Sequence, residues 1–573
     1  MVNEFLAALT SQNNKIKLGI ATDAEHYNLR SEDVILMALE GPSTRKVSNS
    51  ELTLTEKGLR SMEFFVIKCL SIIDRVLNCR PVRKLIKDDD NTQADSCLTM
   101  WQDLMQLQTS CGEARSKYTE TENNNGKKIR FLDECSKAAG ECLTTLQRVL
   151  PAPHFLACIS SLISDEDNDT MMQAKSISLL SERASLTDPT SAEAELFIEA
   201  VPDLIRLISR NSNIRGSNNV LQQTSLIAIE QIARSLGIAS SNSKIKKMVF
   251  MPALEVITDT LNNSAKSLMA SDLNDHETNP DPQISSSIQV LSTAALCAST
   301  LVHLLKAKCI SHLPKLARPL LDSLSKVNSR AKSTMTDSGT NQSSKLLQLA
   351  ILRTMVSVAE TLPQFLLPYL DRILSPNALP SSMLRQDVDD DSAAVKMMAE
   401  RFDSALSTRT PCRQLIPALN KAMANCFGDN GAGPKKWREG LSILSILKGS
   451  IKNASRSDLG PVISKVLNTL IQVYGFNEDK DARFKLIDYA NDVLLSLVLK
   501  LSEAQLRPMY AKLRDWRGEI KTVEESDEAA PLRRNAFWSL SAALSKQLKS
   551  IFLPCMCTVV PDMISELVCI IEF

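Results

Sequence analysis

Aromatic residues make up only 4% of this 573-residue chain, and glycine occurs only 17 times. β-Sandwiches, barrels and tight hairpins draw on both, so the scarcity disfavours them and leaves a helical chain as the expectation. Histidine is scarcer still: His26, His154, His276, His303 and His312 are all there are. None stands in an HExxH pattern or beside a cysteine pair at zinc spacing. An excess of either charge is missing too, with 66 basic and 66 acidic residues. That balance excludes a surface that coats nucleic acid throughout, so any RNA contact should be local or made through partner proteins. It also counts against an acidic transport receptor. A long uncharged apolar run is not expected either. The stretch 493–499 is bounded by Asp488, Asp492 and Lys500, so no membrane partner is expected. The first residues carry an acid at Glu4 and lack the apolar core of a secretory leader.

Fourteen cysteines are present and scattered, which in a long chain reads as a reducing compartment with cysteine used as a small apolar residue. Single hydrophobic cores stop growing near roughly 250–300 residues, so this length requires several domains or a repeat array.

A repeat is visible. Proline falls within a short apolar stretch at Pro202, Pro252, Pro314, Pro368, Pro417, Pro461, Pro508 and Pro554, at intervals of 44 to 62 residues, and Pro153 continues the series backwards. The spacing is close to the roughly 40–47 residues of HEAT and armadillo units. Each unit reads as a helical hairpin whose first helix is started or bent by the proline and whose second is more uniformly apolar. Over 482–501, Phe484, Ile487, Ala490, Leu494, Leu497 and Leu501 recur at helical steps and predict the buried face of one second helix. Such a hairpin cannot bury its apolar face alone, which favours stacking over a globular bundle. The expected fold is an all-α, HEAT/armadillo-like α-solenoid of stacked antiparallel helix pairs. Polar segments at 119–128, 271–286, 326–344, 375–392 and 519–531 read as loops between hairpins. Three regions are expected: helical repeats of uncertain register over 1–150, HEAT-like repeats with long polar loops over 151–480, and C-terminal repeats over 481–573.

Motifs for chemistry fail on inspection. His303 and His312 each have a cysteine nearby, Cys297 and Cys309, but the segment reads as helix–turn–helix. Cys555 and Cys557 are one residue apart, too close for a zinc knuckle. Residues 428–433 have glycines at phosphate-loop spacing, yet Pro434, Lys435 and Lys436 replace the required continuation and no strand precedes them. The acid runs at 88–90, 165–169 and 387–391 lack the EF-hand order and read as solvated loops. Two basic clusters are candidate contacts to RNA phosphate: Lys244, Lys246 and Lys247 leading into a helix, and Lys306, Lys308, Lys315 and Arg318 around a helix–helix turn. The alternative is a set of ordinary solvated cations.

One stretch is specific. The run from Lys500 through Ser502, Gln505, Arg507, Pro508, Tyr510, Leu513, Asp515 and Trp516, followed by Arg533, Phe537, Trp538, Leu540, Leu544, Lys546, Leu548, Lys549 and Phe552, resembles the C-terminal region of the BAP-type HEAT-repeat proteins of the small-subunit processome, the large UtpA (U3 snoRNA-associated) subunits. Locally, Ser502 and Gln505 have capping-box spacing, and Met509, Leu513 and Trp516 share a helix face. Arg507, Asp515 and Trp516 are the candidate partner contacts. The resemblance implies a nucleolar, nuclear ribonucleoprotein scaffold without catalysis, supporting maturation of small-subunit (18S) rRNA and its transcription. Its implied partners are other UtpA subunits and pre-rRNA or snoRNA, directly or through those proteins. No cofactor, metal or small-molecule substrate is expected. Members of that family are longer, so the chain is expected to be a portion of such a scaffold, with an uncapped apolar face near Phe573. A karyopherin-like transport receptor or a phosphatase-type regulatory scaffold is the competing class.

Overall fold

The computed structural model describes residues 56–571 except 81–82, 84–91, 121–125, 165–169, 213–218, 238–242, 271–281, 334–337, 376–377, 380–392, 428–435, 475–479 and 519–528. Every regular element among the described residues is helical. The chain divides into two compact units, 1–253 and 254–573.

The first unit contains α1 (Glu56–Asn78), α2 (Thr92–Glu120), α3 (Gly126–Val149), α4 (Ala152–Ser164), α5 (Thr170–Leu186), α6 (Ala192–Glu199), α7 (Val201–Ser212) and α8 (Asn219–Ile232), which ends in a π turn at Ala233–Gly237. Its core centres on Trp101, Phe155 and Phe197, from α2, α4 and α6, each at most 1% exposed. Trp101 and Phe155 meet edge to face at 6.2 Å. Arg183 of α5 lies 4.7 Å over Phe155 and donates from Nη2 to the Leu150 carbonyl at 2.6 Å. Burial pulls its guanidinium down to about 10, so the aromatic faces and the carbonyl replace water around a cation that remains charged at neutral pH.

The helix α9 (Ser243–Ala270) contains the boundary between units. The second unit continues with α10 (Pro282–Leu305), α11 (Leu313–Ser333), α12 (Ser338–Thr361), α13 (Leu370–Ile373), α14 (Ala393–Arg409), α15 (Cys412–Phe427), α16 (Lys436–Asn453), α17 (Arg456–Leu459), α18 (Ile463–Tyr474), α19 (Lys480–Val498), α20 (Glu503–Gly518), α21 (Ala529–Leu548), α22 (Leu553–Met556) and α23 (Val560–Ile571). The second helices of the hairpins, α10, α12, α14, α16, α19 and α21, each pack on the next along the row. The first helices α11, α15, α18 and α20 pack on the second helices of their own hairpins, and α15 also packs on α18. The architecture is an all-α HEAT-type solenoid of stacked helix pairs.

Proline takes three places in it. At Pro153, Pro202 and Pro314 it is the second residue of a helix, where a missing N–H costs nothing. At Pro368, Pro461 and Pro554 it opens a short 3-10 or α turn entering the first helix. Pro252, Pro417 and Pro508 lie inside first helices. The predicted face of 482–501 holds for Ile487, Ala490, Leu494 and Leu497, all buried, and fails for Phe484, which is 68% exposed. The buried stripe runs through Ala482 and Leu486 instead, and a residue two positions from both points away at 100° per residue.

Among the described residues, the helical stretch Ser286–Ser329 is long and apolar enough to cross a bilayer, unlike the run at 493–499. Yet 67% of its most apolar window is buried against neighbouring helices, which makes it the core of the second unit.

Polar stitches join successive repeats. Asp259 pairs with Lys315 at 3.4 Å, Asp322 with Arg372 at 3.0 Å and Asp371 with Lys421 at 2.6 Å, all between consecutive first helices. These exposed pairs contribute about 0–1 kcal/mol each and fix register more than stability. Two lysines do more. Lys326 Nζ donates to the Met269 carbonyl at 2.9 Å, and Lys500 Nζ to the Ala454 carbonyl at 2.7 Å. Each satisfies unpaired carbonyls at the C-terminal end of the preceding repeat's helix, where the dipole favours a cation. Replacing Lys500 with methionine is expected to cost about 1–3 kcal/mol, read as a lower midpoint in denaturant titration at unchanged helical content.

Candidate interaction surfaces

The specific sequence stretch folds into α20 and α21, and α23 closes over both. Arg514 of α20 holds Asp562 of α23 with two bonds, Nε to Oδ2 at 2.8 Å and Nη2 to Oδ1 at 3.1 Å. Arg517, one turn on, donates from Nη2 to the same Oδ2 at 2.8 Å and approaches Glu566 at 3.5 Å. The Arg517 guanidinium also lies 5.1 Å over Phe537 and 5.3 Å over Trp538. Trp538 Nε1 completes the clasp by donating to Glu566 Oε2 at 2.6 Å. Beneath it, Tyr510 packs on Phe537 at 5.6 Å and Phe552 at 5.0 Å, with its hydroxyl 2.8 Å from Ser541 Oγ. At the start of α20, the Ser502 N–H donates to Gln505 Oε1 at 3.1 Å, one arm of the capping box its spacing predicts.

The hydrogen bonds from Arg514, together with both arginine charges, hold the Asp562 carboxyl below its ordinary range. The folded pKa is depressed, so the clasp contributes fully above the ordinary carboxylate value and is lost as pH falls through it and below. Amide hydrogen exchange of 560–571, corrected for intrinsic rate, should therefore be level from pH 7 to about pH 5 and accelerate towards pH 3.

The candidate residues from sequence sit around this clasp in different ways. Arg507 is exposed and pairs with Glu503 at 2.6 Å along its own helix. Asp515 is exposed. Trp516 is 6% exposed and packs 5.9 Å from Tyr474, on the face opposite the solvent. Sequence reading misses Arg514, Arg517, Asp562 and Glu566 as contacts, and it places Trp538 in the resembling stretch without a partner. The available signal was two arginines three apart on α20 and two acids four apart on α23, separated by about one repeat length.

The basic clusters are placed as follows. Lys244 and Lys247 are exposed on the first turns of α9; Lys246 lies on the same helix, its side chain outside the described residues. Lys306 and Lys308 are exposed on the 3-10 turn Lys306–His312, and Lys315 and Arg318 are exposed on α11. Lys315 pairs with Asp259. Lys306 has φ 51° and Lys549 has φ 49°, the two left-handed non-glycine residues among those described. Both follow the last residue of a second helix, where glycine commonly ends the turn, so each carries a strain of about 1–2 kcal/mol that glycine would not.

Of the motifs set aside above, 428–433 and the acid runs at 88–90, 165–169 and 387–391 lie outside the described residues. Cys309 is buried and donates from Sγ towards the Leu301 carbonyl; burial pushes its thiol up to about 12, the behaviour of a packing residue. Cys555 is buried and Cys557 exposed. A cleft near 560 Å³ in the first unit is lined by Asp74, Glu141 and Glu182 facing Lys137, Arg148 and Lys175, with no cysteine or histidine on its walls.

A family model for the BP28CT (NUC211) domain matches residues 452–570, which contain the whole clasp. The chain is 23% identical over 457 residues to HEAT repeat-containing protein 1 of Homo sapiens, covering 78% of this chain and 19% of that protein. It is 21% identical over 406 residues to U3 small nucleolar RNA-associated protein 10 of Schizosaccharomyces pombe, covering 69% of this chain and 20% of the relative. The chain thus spans about a fifth of the length of these relatives. Among solved structures it is similar to Kap121p bound to Pho4p, with TM-score 0.35 and 12% identity, over 98% of this chain and 55% of the other. Residues 452–570 match the BP28CT (NUC211) domain, and the chain that carries them is a HEAT-repeat array similar to HEAT repeat-containing protein 1 and U3 small nucleolar RNA-associated protein 10.

Proposed function

We propose that this chain is a segment of a non-catalytic scaffold of the nucleolar small-subunit processome, supporting pre-rRNA processing towards 18S rRNA and rRNA transcription. The observation that carries the reading is the match of residues 452–570 to the BP28CT domain, the region that also holds the clasp of α20, α21 and α23. A helix pair array offers many turns and helix faces at fixed spacing, which suits binding several partners at once rather than turning over a substrate. On this reading Arg507 and Asp515, both exposed on α20, contact a UtpA-type protein partner, while Trp516 holds the helix that presents them. Lys244, Lys246, Lys247, Lys306, Lys308, Lys315 and Arg318 are the cations offered to pre-rRNA or snoRNA phosphate. The place of action is the nucleolus.

The test is affinity purification of the tagged chain from nucleolar extract, with mass spectrometry of proteins and quantitation of U3 snoRNA. Enrichment of U3 snoRNA together with processome proteins over a tag-only control supports the scaffold reading. Enrichment of nuclear-transport cargo or a phosphatase in their place overturns it.

A further inference from the structure

The two kinds of segment between helices differ in charge. In the second unit, five of the six segments that join a first helix to its second helix have more acidic than basic residues, such as Asp272, Asp275, Glu277 and Asp281 before α10. The turns from a second helix to the next first helix have the opposite character. Residues 305–313, 361–369, 409–413, 452–457, 499–502 and 546–554 contain no Asp or Glu, and all but 361–369 contain Lys or Arg. Lys306, Arg409, Lys452, Arg456 and Lys549 are all exposed there.

Direct contacts put neighbouring turns side by side. The Cys412 thiol points to the Asp458 carbonyl at 3.7 Å, and Arg413 reaches the Asp458 carboxylate at 3.2 Å, joining the turns at 409–413 and 452–458. Lys500 bonded to the Ala454 carbonyl joins the next pair. Tyr510 of α20 packs on Phe552 at 5.0 Å, which brings the turn at 546–554 beside α20. Stacked helices are spaced roughly 8–10 Å apart, so cations in adjoining turns lie about that far apart, and those on either side of 361–369 or of the engaged Lys500 lie about twice as far. Asp458 and Glu503, the acids that follow two of these turns, are engaged by Arg413 and Arg507.

Part of this pattern serves the helices themselves, since cations suit C-terminal ends, and Lys500 is used in that way. Lys306 and Lys549 go further. They occupy left-handed positions where glycine is less strained, and strain kept at an exposed charged residue points to a use for the charge.

We propose that this turn edge of the second unit is a track for the sugar–phosphate backbone of single-stranded RNA, with Lys306, Arg409, Lys452, Arg456 and Lys549 as its phosphate contacts. The proposal deepens the scaffold reading by assigning direct RNA contact to one edge. Cations recurring along one edge match an extended polyanion. None of these five turn cations stacks on an aromatic ring in the structure, so the track positions RNA without reading its bases.

The experiment measures binding of fluorescein-labelled oligouridylate to the full chain by anisotropy across a salt series. Three variants are compared with the parent. The first carries Lys306→Gln, Arg409→Gln, Lys452→Gln, Arg456→Gln and Lys549→Gln. The second exchanges Lys for Arg and Arg for Lys at the same positions. The third makes an equal charge change off the edge, with Lys266→Gln, Lys396→Gln, Lys485→Gln, Lys512→Gln and Arg534→Gln. The edge glutamine variant should lose about tenfold or more in affinity, and its log–log salt slope should flatten by about 0.7 for each phosphate contact removed. The exchange variant should keep its affinity, which separates charge from folding, and the off-edge variant should stay within about threefold. Equal losses from the edge and off-edge variants would overturn the track. So would a parent chain that ignores oligouridylate but binds polyglutamate, the behaviour of a site for an acidic protein. If RNA binding fails while U3 snoRNA and processome proteins still copurify, the track falls and the scaffold reading stands; the converse pattern removes the scaffold reading alone.

Discussion

Truncating Arg517 to alanine should destabilise the C-terminal repeat by about 1–3 kcal/mol and release α23, while leaving the helices before α20 folded. The side chain of Arg517 is 13% exposed, and three demands meet on it: Asp562, Glu566 and the faces of Phe537 and Trp538. Removing it leaves Asp562 with Arg514 alone and Glu566 with the Trp538 N–H alone. Losing the charged hydrogen bond to Asp562 and the packing on Phe537 and Trp538 costs about 1–3 kcal/mol. Hydrogen exchange should localise the change, with protection lost across 560–571 and retained in α16 and α19. Uniform loss of protection across the second unit would show that the clasp is no local device. Substituting Arg507, which is exposed and paired only along its own helix, should stay within about 0.5 kcal/mol.

Gly449→Ala should cost about 2 kcal/mol although alanine is the better helix former. Gly449 lies on α16 against α14, and a β-carbon added there would stand 2.7 Å from Ser407 Oγ and 2.8 Å from Ser407 Cβ. The second distance decides the sign, because a β-carbon is fixed to its backbone and can yield only if a helix moves. Helix propensity returns up to about 1 kcal/mol, and overpacking costs about 1–3 kcal/mol or more. Ser407→Gly in the same chain should recover most of the loss, so a double-mutant cycle would show coupling above about 1 kcal/mol. Gly440→Ala is a useful contrast. There the nearest atom, at 2.7 Å, is Cζ at the far end of the Phe427 ring, which can shift with its side chain. Its cost should be smaller. Additive effects of Gly449→Ala and Ser407→Gly would refute the close approach of α14 and α16.

How much of this was legible in the sequence depends on how far apart in the chain the deciding residues lie. The helical class followed from scarce aromatics and glycine, and the hairpin unit from proline recurring beside apolar residues, because both act within a turn or two of helix. The capping box at Ser502 and the buried face of Met509, Leu513 and Trp516 are local in the same sense. Phe484 shows the limit even locally, since a six-residue stripe read at three- and four-residue steps admitted a residue that faces solvent.

The site residues were legible only as a neighbourhood. The stretch around Arg507, Asp515 and Trp516 falls inside the matched BP28CT region. Within it, the contacts that close the last repeat belong to Arg514, Arg517 and Trp538, because their partners Asp562 and Glu566 arrive from a helix 28 to 48 residues further on.

The sequence by itself therefore determined an α-helical repeat, its proline-marked units, its lack of a recognisable catalytic motif and its family resemblance near the C-terminus, all set by patterns within one hairpin. Tertiary structure alone decided which charges pair between repeats, which arginines clasp α23, why Gly449 has no room for a side chain, and that the turns at 409–413, 452–458 and 499–502 lie side by side. These depend on which face of a helix meets its neighbour one repeat away, and spacing along the chain does not encode that meeting until the helices are stacked.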